Sequence, residues 1–447
     1  MRNDVLNIGF VTTLSGRWPV ELPGKRQDEY EAFMRDKFGQ DANIVTTGRV
    51  SSNTDQLMET VQLFKSEQVD VIVMLYGAFT GDDVSTILAE QVGVPLVLWA
   101  PYEPPFDGGR LLANALVSLT MNSASLKRLG HTSHAVYGGL DDEQSVKKLT
   151  AILNGYKTVK KVRGITLGLF GYRPTAFYNS AFDEALIRKT FGIRIEETSL
   201  VMVFNKMQSY SQDAVDIAMT EAGKIFKTEN LPDGHLENHA RLYLALNELM
   251  EQQRYDYATI KCWPEMGQLK TTPCAVLGRL ADNGKLISCE GDVDVTLAMI
   301  FQHCLTREPT FVTDMINVDK EANTLTFWHC GNPAPSLIEG DYTMGDHPLA
   351  GQGTAFNCVL KTGKVTVSRL CNIDGQYKLF VVRGEAVPTV RNTGGSMVNV
   401  RINMPVHDFV YKIIEEGIPH HYSVAYGDIA DDMIFAAKLL GIETIEF

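Results

Sequence analysis

The first third of the chain alternates short apolar runs with stretches in which apolar residues recur every three or four positions. "VLNIGFVT" (5–12), "ANIVTTGRV" (42–50), "VDVIVMLY" (69–76) and "VPLVLWA" (94–100) are expected strands. Between them "EYEAFMRDKF" (29–38), "TDQLMETVQLFKSE" (54–67, with Thr54 as N-cap) and "DDVSTILAEQV" (82–92) carry the helical period. Strands without polar alternation, separated by helices of this length, predict βαβ units and a parallel sheet. No G-x-G-x-x-G follows any of these strands, so nothing favours a dinucleotide.

A second unit of this kind begins near Arg163. "GITLGLFGY" (164–172) is an expected strand, 182–192 a helix closed by Gly192, 211–226 and 239–253 two amphipathic helices, and 255–263 the next buried strand. From about residue 310 the pattern turns β-rich, through 324–330, 354–387 and 397–404, with hairpin signals at Thr362-Gly363 and Asp374-Gly375. That reads as an antiparallel barrel or sandwich. A helix (407–417), a loop "IPHHYSVAYGD" (418–428), and a last helix and strand close the chain.

A chain of 447 residues exceeds one hydrophobic core. Its formal charge of −13 argues against a nucleic-acid or anionic-membrane partner. No stretch nears the roughly 18 apolar residues of a membrane span, and "MRNDVLNIGFVTTLSG" is too interrupted for a signal peptide. The seven cysteines form no CxxC pair and read as reduced, mostly buried thiols of a cytoplasmic protein, without a zinc site.

Candidate chemistry gathers where two apolar runs end. "ATIKCWPEMGQ" (258–268) leads to Glu265, and "LISCEGDVD" (286–294) leads to Glu290, Asp292 and Asp294. Ligands of open parallel sheets bind beyond the carboxyl ends of the strands. In extended chain Glu290 and Asp292 would face one side. Converging carboxylates repel and call for a cation such as Mn2+ or Mg2+, and a histidine nitrogen tips the choice toward Mn2+ or another transition metal. The competing reading makes these acids solvated strand ends, with Asp292 or Asp294 capping the helix "VTLAMIFQHCL".

His420-His421 falls in the expected loop, and His329 follows a strand as a pocket or half-buried residue. His131 and His134 share helical spacing without an HExxH glutamate, and His303 lies on an apolar helix face. Arg17, after the first strand, is either a clamp for a polar or anionic ligand or a surface arginine.

Five islands, "TTLSGRWPV", "IKCWPEMGQL", "SCEGDVDVTLAMIFQHCLT", "FWHCGNPAPSL" and "PHHYSVAYGD", in this order, resemble the L-fucose isomerase and L-arabinose isomerase superfamily. The resemblance implies an α/β fold: two Rossmann-like doubly wound parallel-sheet domains, 1–160 and 161–300, and a C-terminal domain, 301–447, with an antiparallel β-barrel. It implies a metal-dependent aldose–ketose isomerase working through an enediolate on a free sugar. Glu265 and Asp292 would be catalytic, and Glu265, Asp292 and His421 would bind the metal, with Glu290 next in line as ligand. Arg17, Trp18, Glu290, His420 and His329 would meet the sugar. The cofactor would be Mn2+, or else Mg2+ or Co2+.

A neutral sugar of the L-fucose, D-arabinose or L-arabinose type is the first expectation, and conversion of sulfoquinovose to sulfofructose the second. Arg17, with Lys25 and Arg26 nearby, would suit the sulfonate. The resemblance further implies a homo-oligomer, trimer or hexamer, with sites at subunit interfaces, so that Arg17 and Trp18 serve a neighbour's pocket. A different class stays open: "IGFVTTLSGRWPVELPGKR" also resembles the start of a periplasmic solute-binding protein, which would carry a leader and no metal.

Overall fold

A computed structural model describes residues 5–16, 18–228 and 231–447. Chain contacts divide it into two compact units, Met1–Lys161 and Val162–Phe447. Among the described residues no helix is long and apolar enough to cross a membrane.

The first unit is built on a five-stranded parallel sheet. Its order is Ala42–Val45, Leu6–Thr13, Val71–Tyr76, Leu96–Ala100, Ser133–Tyr137. Every residue of Val71–Tyr76 and Leu96–Ala100 is buried, which is why these strands read as unbroken apolar runs. The expected strand 42–50 is shorter. The expected helix 29–38 begins earlier, at Glu21, although Pro23 and Gly24 look like a turn in sequence. Pro23 is tolerated in the first turn, where its missing N–H has no intrahelical partner to lose. The cap of Thr54–Ser66 is Asn53 rather than Thr54, its side chain accepting the Gln56 N–H. His134 sits in strand Ser133–Tyr137, paired with the Tyr156 hydroxyl at 2.8 Å, so the helical spacing with His131 has no meaning there.

The second unit holds a smaller parallel sheet in the order Ile287–Cys289, Tyr257–Ile260, Thr166–Phe170, Arg194–Thr198. The strand order reverses between Thr166–Phe170 and Tyr257–Ile260, a switch point of the kind that opens a crevice at the carboxyl ends. Helix Val293–Thr306 follows strand Ile287–Cys289, has eleven buried residues and packs on strands of the large mixed sheet. Gln302 ties the two together, donating to Thr366 O (3.0 Å) and Ser423 O (2.9 Å) and accepting from Ser423 Oγ (2.6 Å).

The mixed sheet has ten strands. Six of them pair antiparallel in a cycle: Phe311–Asp319, Thr324–His329, Ser396–Ile402, Gln376–Val387, Gly363–Ile373 and His421–Tyr426, which returns to Phe311–Asp319. Phe311, Leu325, Phe327, Val367, Phe380, Val398, Tyr422 and Val424 form its apolar core. Asp374-Gly375 makes the expected two-residue hairpin, with φ of +53° and +77° and Ile373 opposite Gln376. Thr362-Gly363 does not. Ala355–Leu360 pairs with Ile338–Gly345 and Ser396–Ile402, while Gly363–Ile373 pairs elsewhere. The expected loop 418–428 is mostly strand His421–Tyr426, laid between two others with its first five residues buried. Pro419 and the histidine pair suggest a loop, yet His421 and the Tyr-Ser-Val-Ala-Tyr run after it are strand.

Candidate active site

Strands Tyr257–Ile260 and Ile287–Cys289 are neighbours, with Ile260 opposite Cys289, so the acids that follow them start from adjacent carboxyl ends. Glu265 opens the short helix Glu265–Gln268. Lys261 Nζ holds its Oε1 at 2.5 Å, while Oε2 is buried without a hydrogen-bond partner. Trp263 is 40% exposed and donates its indole N–H to Glu290 Oε1 at 3.3 Å.

Glu290 and Gly291 both have positive φ, +61° and +60°, which turns the chain sharply between strand and helix. Gly291 has no room for a side chain: a Cβ would come within 2.0 Å of Tyr172 O. This tight turn separates Glu290 from Asp292. Glu290 Oε2 lies 3.1 Å from His421 Nε2, whereas Asp292 turns inward to cap helix Val293–Thr306 through the Val295 N–H. Asp292 is fully buried, and both its oxygens are engaged. Arg369 donates Nη1 to Oδ2 (2.9 Å) and Nη2 to Oδ1 (3.2 Å), and His421 Nδ1 meets Oδ2 at 2.8 Å. Burial opposes its charge, but the Arg369 guanidinium and His421 hold the carboxyl well below its ordinary range. Asp294 accepts the Tyr377 hydroxyl at 2.8 Å, and burial together with the Asp292 charge raises it to about 7.

His421 is the hub. Strand pairing sets it opposite Asp314, whose Oδ1 is buried without a hydrogen-bond partner and lies 3.5 Å from His421 Nε2. Burial alone would lower the imidazole, yet the hydrogen bonds to Asp292 and Glu290 raise it to about 10. Burial would raise Glu290, but the same contact with His421 leaves it below its ordinary value. With Nδ1 fixed on a carboxylate, Nε2 is the nitrogen that faces Glu290 and Asp314, the carboxylate–histidine arrangement that orients a metal-binding imidazole.

His420 stacks on His421 with ring centres 4.0 Å apart, contacts Asn179 at 3.1 Å, and is lowered by burial and by its neighbour's charge. His329 is buried at the end of its strand, with Nδ1 unpartnered. His303 bonds the Tyr257 hydroxyl at 2.9 Å.

Two sets of donor atoms fall within 4.8 Å of one another: Glu290, His420 and His421, and Asp314, His329 and His421. Glu265 and Asp292 belong to neither set. The donors are carboxylate oxygens and imidazole nitrogens, and the unpartnered buried oxygens of Asp314 and Glu265 leave lone pairs for a cation. This chemistry fits a divalent ion of the Mn2+ type.

Of the residues expected to meet the sugar, Glu290, His420 and His329 surround His421. Trp18 lies in the first unit, stacked on Phe79 and beneath the Arg110 guanidinium. Arg17 lies outside the described residues. Sequence reasoning missed Asp314, Arg369 and Lys261. The first two had a signal: each is a lone charge inside an apolar strand, in "FVTDMI" and "VTVSRLC".

Residues 336–447 match the family described as L-fucose isomerase, C-terminal domain. The sulfoquinovose isomerase of Clostridium sp. (strain MSTE9) is 30% identical over 365 residues, covering 80% of this chain and 81% of that protein. That of Alkalicoccus urumqiensis is 27% identical over 386 residues, covering 85% and 87%. That of Priestia aryabhattai is 24% identical over 410 residues, covering 91% and 92%. A solved periplasmic solute-binding protein from Actinobacillus succinogenes, with bound D-allose, is 12% identical and covers 68% of this chain and 92% of its own. Its TM-score of 0.18 is too low to bear on fold or ligand.

Proposed function

The chain belongs to the L-fucose isomerase superfamily and is an aldose–ketose isomerase, and from that premise we propose that it isomerises a sulfonated aldose, sulfoquinovose, through an enediolate with the help of a divalent ion. The solute-binding alternative falls with the enzyme assignment. We place sulfoquinovose ahead of the neutral sugars expected first from the sequence, a choice supported by sulfoquinovose isomerases that match across most of the chain. We read the six-strand cycle as the barrel of the C-terminal domain.

We assign the ion to Glu290 and His421, with Asp314 as a further donor, and keep Glu265, which lies outside both donor sets, as the base. Asp292, expected from the sequence to be ligand and catalyst, passes its metal place to Glu290. Its lone pairs are already taken by Arg369, the Val295 N–H and His421, and it is fully buried. It becomes a positioning residue for the imidazole.

Isomerisation moves one proton between C1 and C2 and another between their oxygens. When bound, the ion supplies positive charge that acidifies the C2 proton and stabilises the enediolate. Glu265 takes the C2 proton and returns it at C1. Lys261 holds one of its oxygens and so orients the carboxylate. Trp263 and His421 hold Glu290 from both oxygens. His420 and His329 line the space beside His421, where the sugar hydroxyls need polar partners. The observation that carries this reading is the Glu290–His421–Asp314 contact set, backed by Asp292, with unpartnered carboxylate oxygens left over.

A sugar panel with Mn2+ tests it. Sulfoquinovose is expected to give a kcat/KM at least about tenfold above L-fucose, D-arabinose and L-arabinose, because a charge-assisted contact discriminates on that scale. An uncharged sugar turned over as well as sulfoquinovose would contradict the substrate assignment.

A further inference from the structure

The loop 171–180, beyond strand Thr166–Phe170, runs along the candidate site. At one end its backbone touches the turn after Glu290, where Arg173 Cα would be 3.1 Å from a Cβ on Gly291. At the other, Phe177 packs edge-on against Trp263 (5.4 Å) and His420 (5.7 Å), and Asn179 contacts His420. The loop therefore connects both sides of the proposed ion site.

Cations beside this site differ in what neutralises them. Lys261 is paired with Glu265, and Arg369 with Asp292. Arg173 has no ion pair among the described residues. Its guanidinium sits over the Tyr172 and Tyr178 rings, 5.6 and 5.4 Å from their centres. Nη1 reaches Pro174 O at 3.4 Å, and Nε is buried without a hydrogen-bond partner. A planar cation held over ring faces keeps N–H edges for another partner, and a buried unpartnered donor is costly unless something accepts from it. An oxyanion with two oxygens in one plane matches such an edge.

Two of the cations expected from sequence to suit an anion, Arg26 and Lys25, are otherwise engaged. Arg26 donates to three backbone carbonyls, of Tyr76, Gly77 and Tyr102, and Lys25 pairs with Glu29.

We propose that Arg173 binds the anionic end of the substrate, a sulfonate on the carbon farthest from the carbonyl, and thereby sets the preference for a charged over a neutral aldose. The proposal rests on the substrate reading above. Tyr178, 80% exposed, and Tyr172, 45% exposed, keep the cation in place while leaving the approach open. Arg173 touches neither reacting carbon in this account. It is a specificity residue, and its effect belongs in KM and in selectivity.

The test compares the parent chain with Arg173→Met and Arg173→Lys, each checked for an unchanged thermal transition. It measures kcat/KM for sulfoquinovose and for D-glucose, which carries a hydroxyl in place of the sulfonate, and inhibition by methanesulfonate. Arg173→Met is expected to lower the sulfoquinovose-to-glucose ratio by about tenfold or more, mainly through KM, and to weaken methanesulfonate inhibition in step. Arg173→Lys, which keeps the charge but not the planar fork, should recover part of the loss. An unchanged ratio and unchanged inhibition in the folded Met variant would overturn the proposal. A parent chain that isomerises a neutral aldose but not sulfoquinovose would sink the substrate reading instead, and methanesulfonate competition would then decide the role of Arg173 alone.

Discussion

Replacing Glu265 with glutamine is expected to lower kcat by about 10²–10⁴-fold, the range typical of removing a positioned general base. The fold should not notice the change. Glutamine keeps an oxygen that accepts from Lys261, and Glu265 is the first residue of a four-residue helix rather than part of a core. Stopped assays of ketose formation, paired with a thermal melt, separate the two quantities. Sulfoquinovose KM should move far less than kcat, because the carboxylate's proton-accepting role is felt in the transition state. Retention of more than about a tenth of the parent kcat would remove Glu265 as the base.

The largest effect on stability is expected at Asp292. Alanine there strips the partner from Arg369, a fully buried guanidinium, removes the cap of helix Val293–Thr306, and frees His421 Nδ1. Breaking a buried pair on one side costs about 3–5 kcal/mol, most of it from the charge left without compensation. Loss of a cap adds about 1 kcal/mol. Urea unfolding should therefore show Asp292→Ala losing several kcal/mol, with activity falling in whatever protein remains folded. Asn at the same position keeps the shape and an acceptor for Val295 N–H, and should be milder. A Asp292→Ala variant as stable as the parent would mean that the Arg369 charge finds another partner, and that His421 is oriented by something else.

The sequence and the structure part company at places with a common cause. Long apolar runs announced the parallel strands Val71–Tyr76 and Leu96–Ala100, because strands buried on both faces have no polar positions. The hairpin at Asp374-Gly375 was equally legible, since its turn needs residues that tolerate positive φ. His421–Tyr426 was missed as a strand because proline, paired histidines and tyrosines dilute its apolar signal, although its neighbours on both sides bury it.

The site was legible as a set of residue types and less so as a geometry. Local spacing favours Asp292 on the same face as Glu290 in extended chain, but two successive positive-φ residues reverse the direction between them. One carboxylate then meets His421 Nε2, and the other goes behind the ring to Nδ1. Asp314 and Arg369 come from strands far along the chain, and no periodicity reveals that pairing sets Asp314 opposite His421. A charge in the middle of an apolar strand is the local clue to both.

The central claim is that this site is a metal-assisted isomerase centre, and metal removal tests it most directly. The chain is stripped with EDTA, its residual metal measured, and sulfoquinovose turnover followed as Mn2+ is added back. Turnover is expected to vanish in the stripped protein and to return at about one Mn2+ per chain, with Glu290→Gln requiring far more Mn2+. Full turnover in protein shown to be free of metal would contradict the claim.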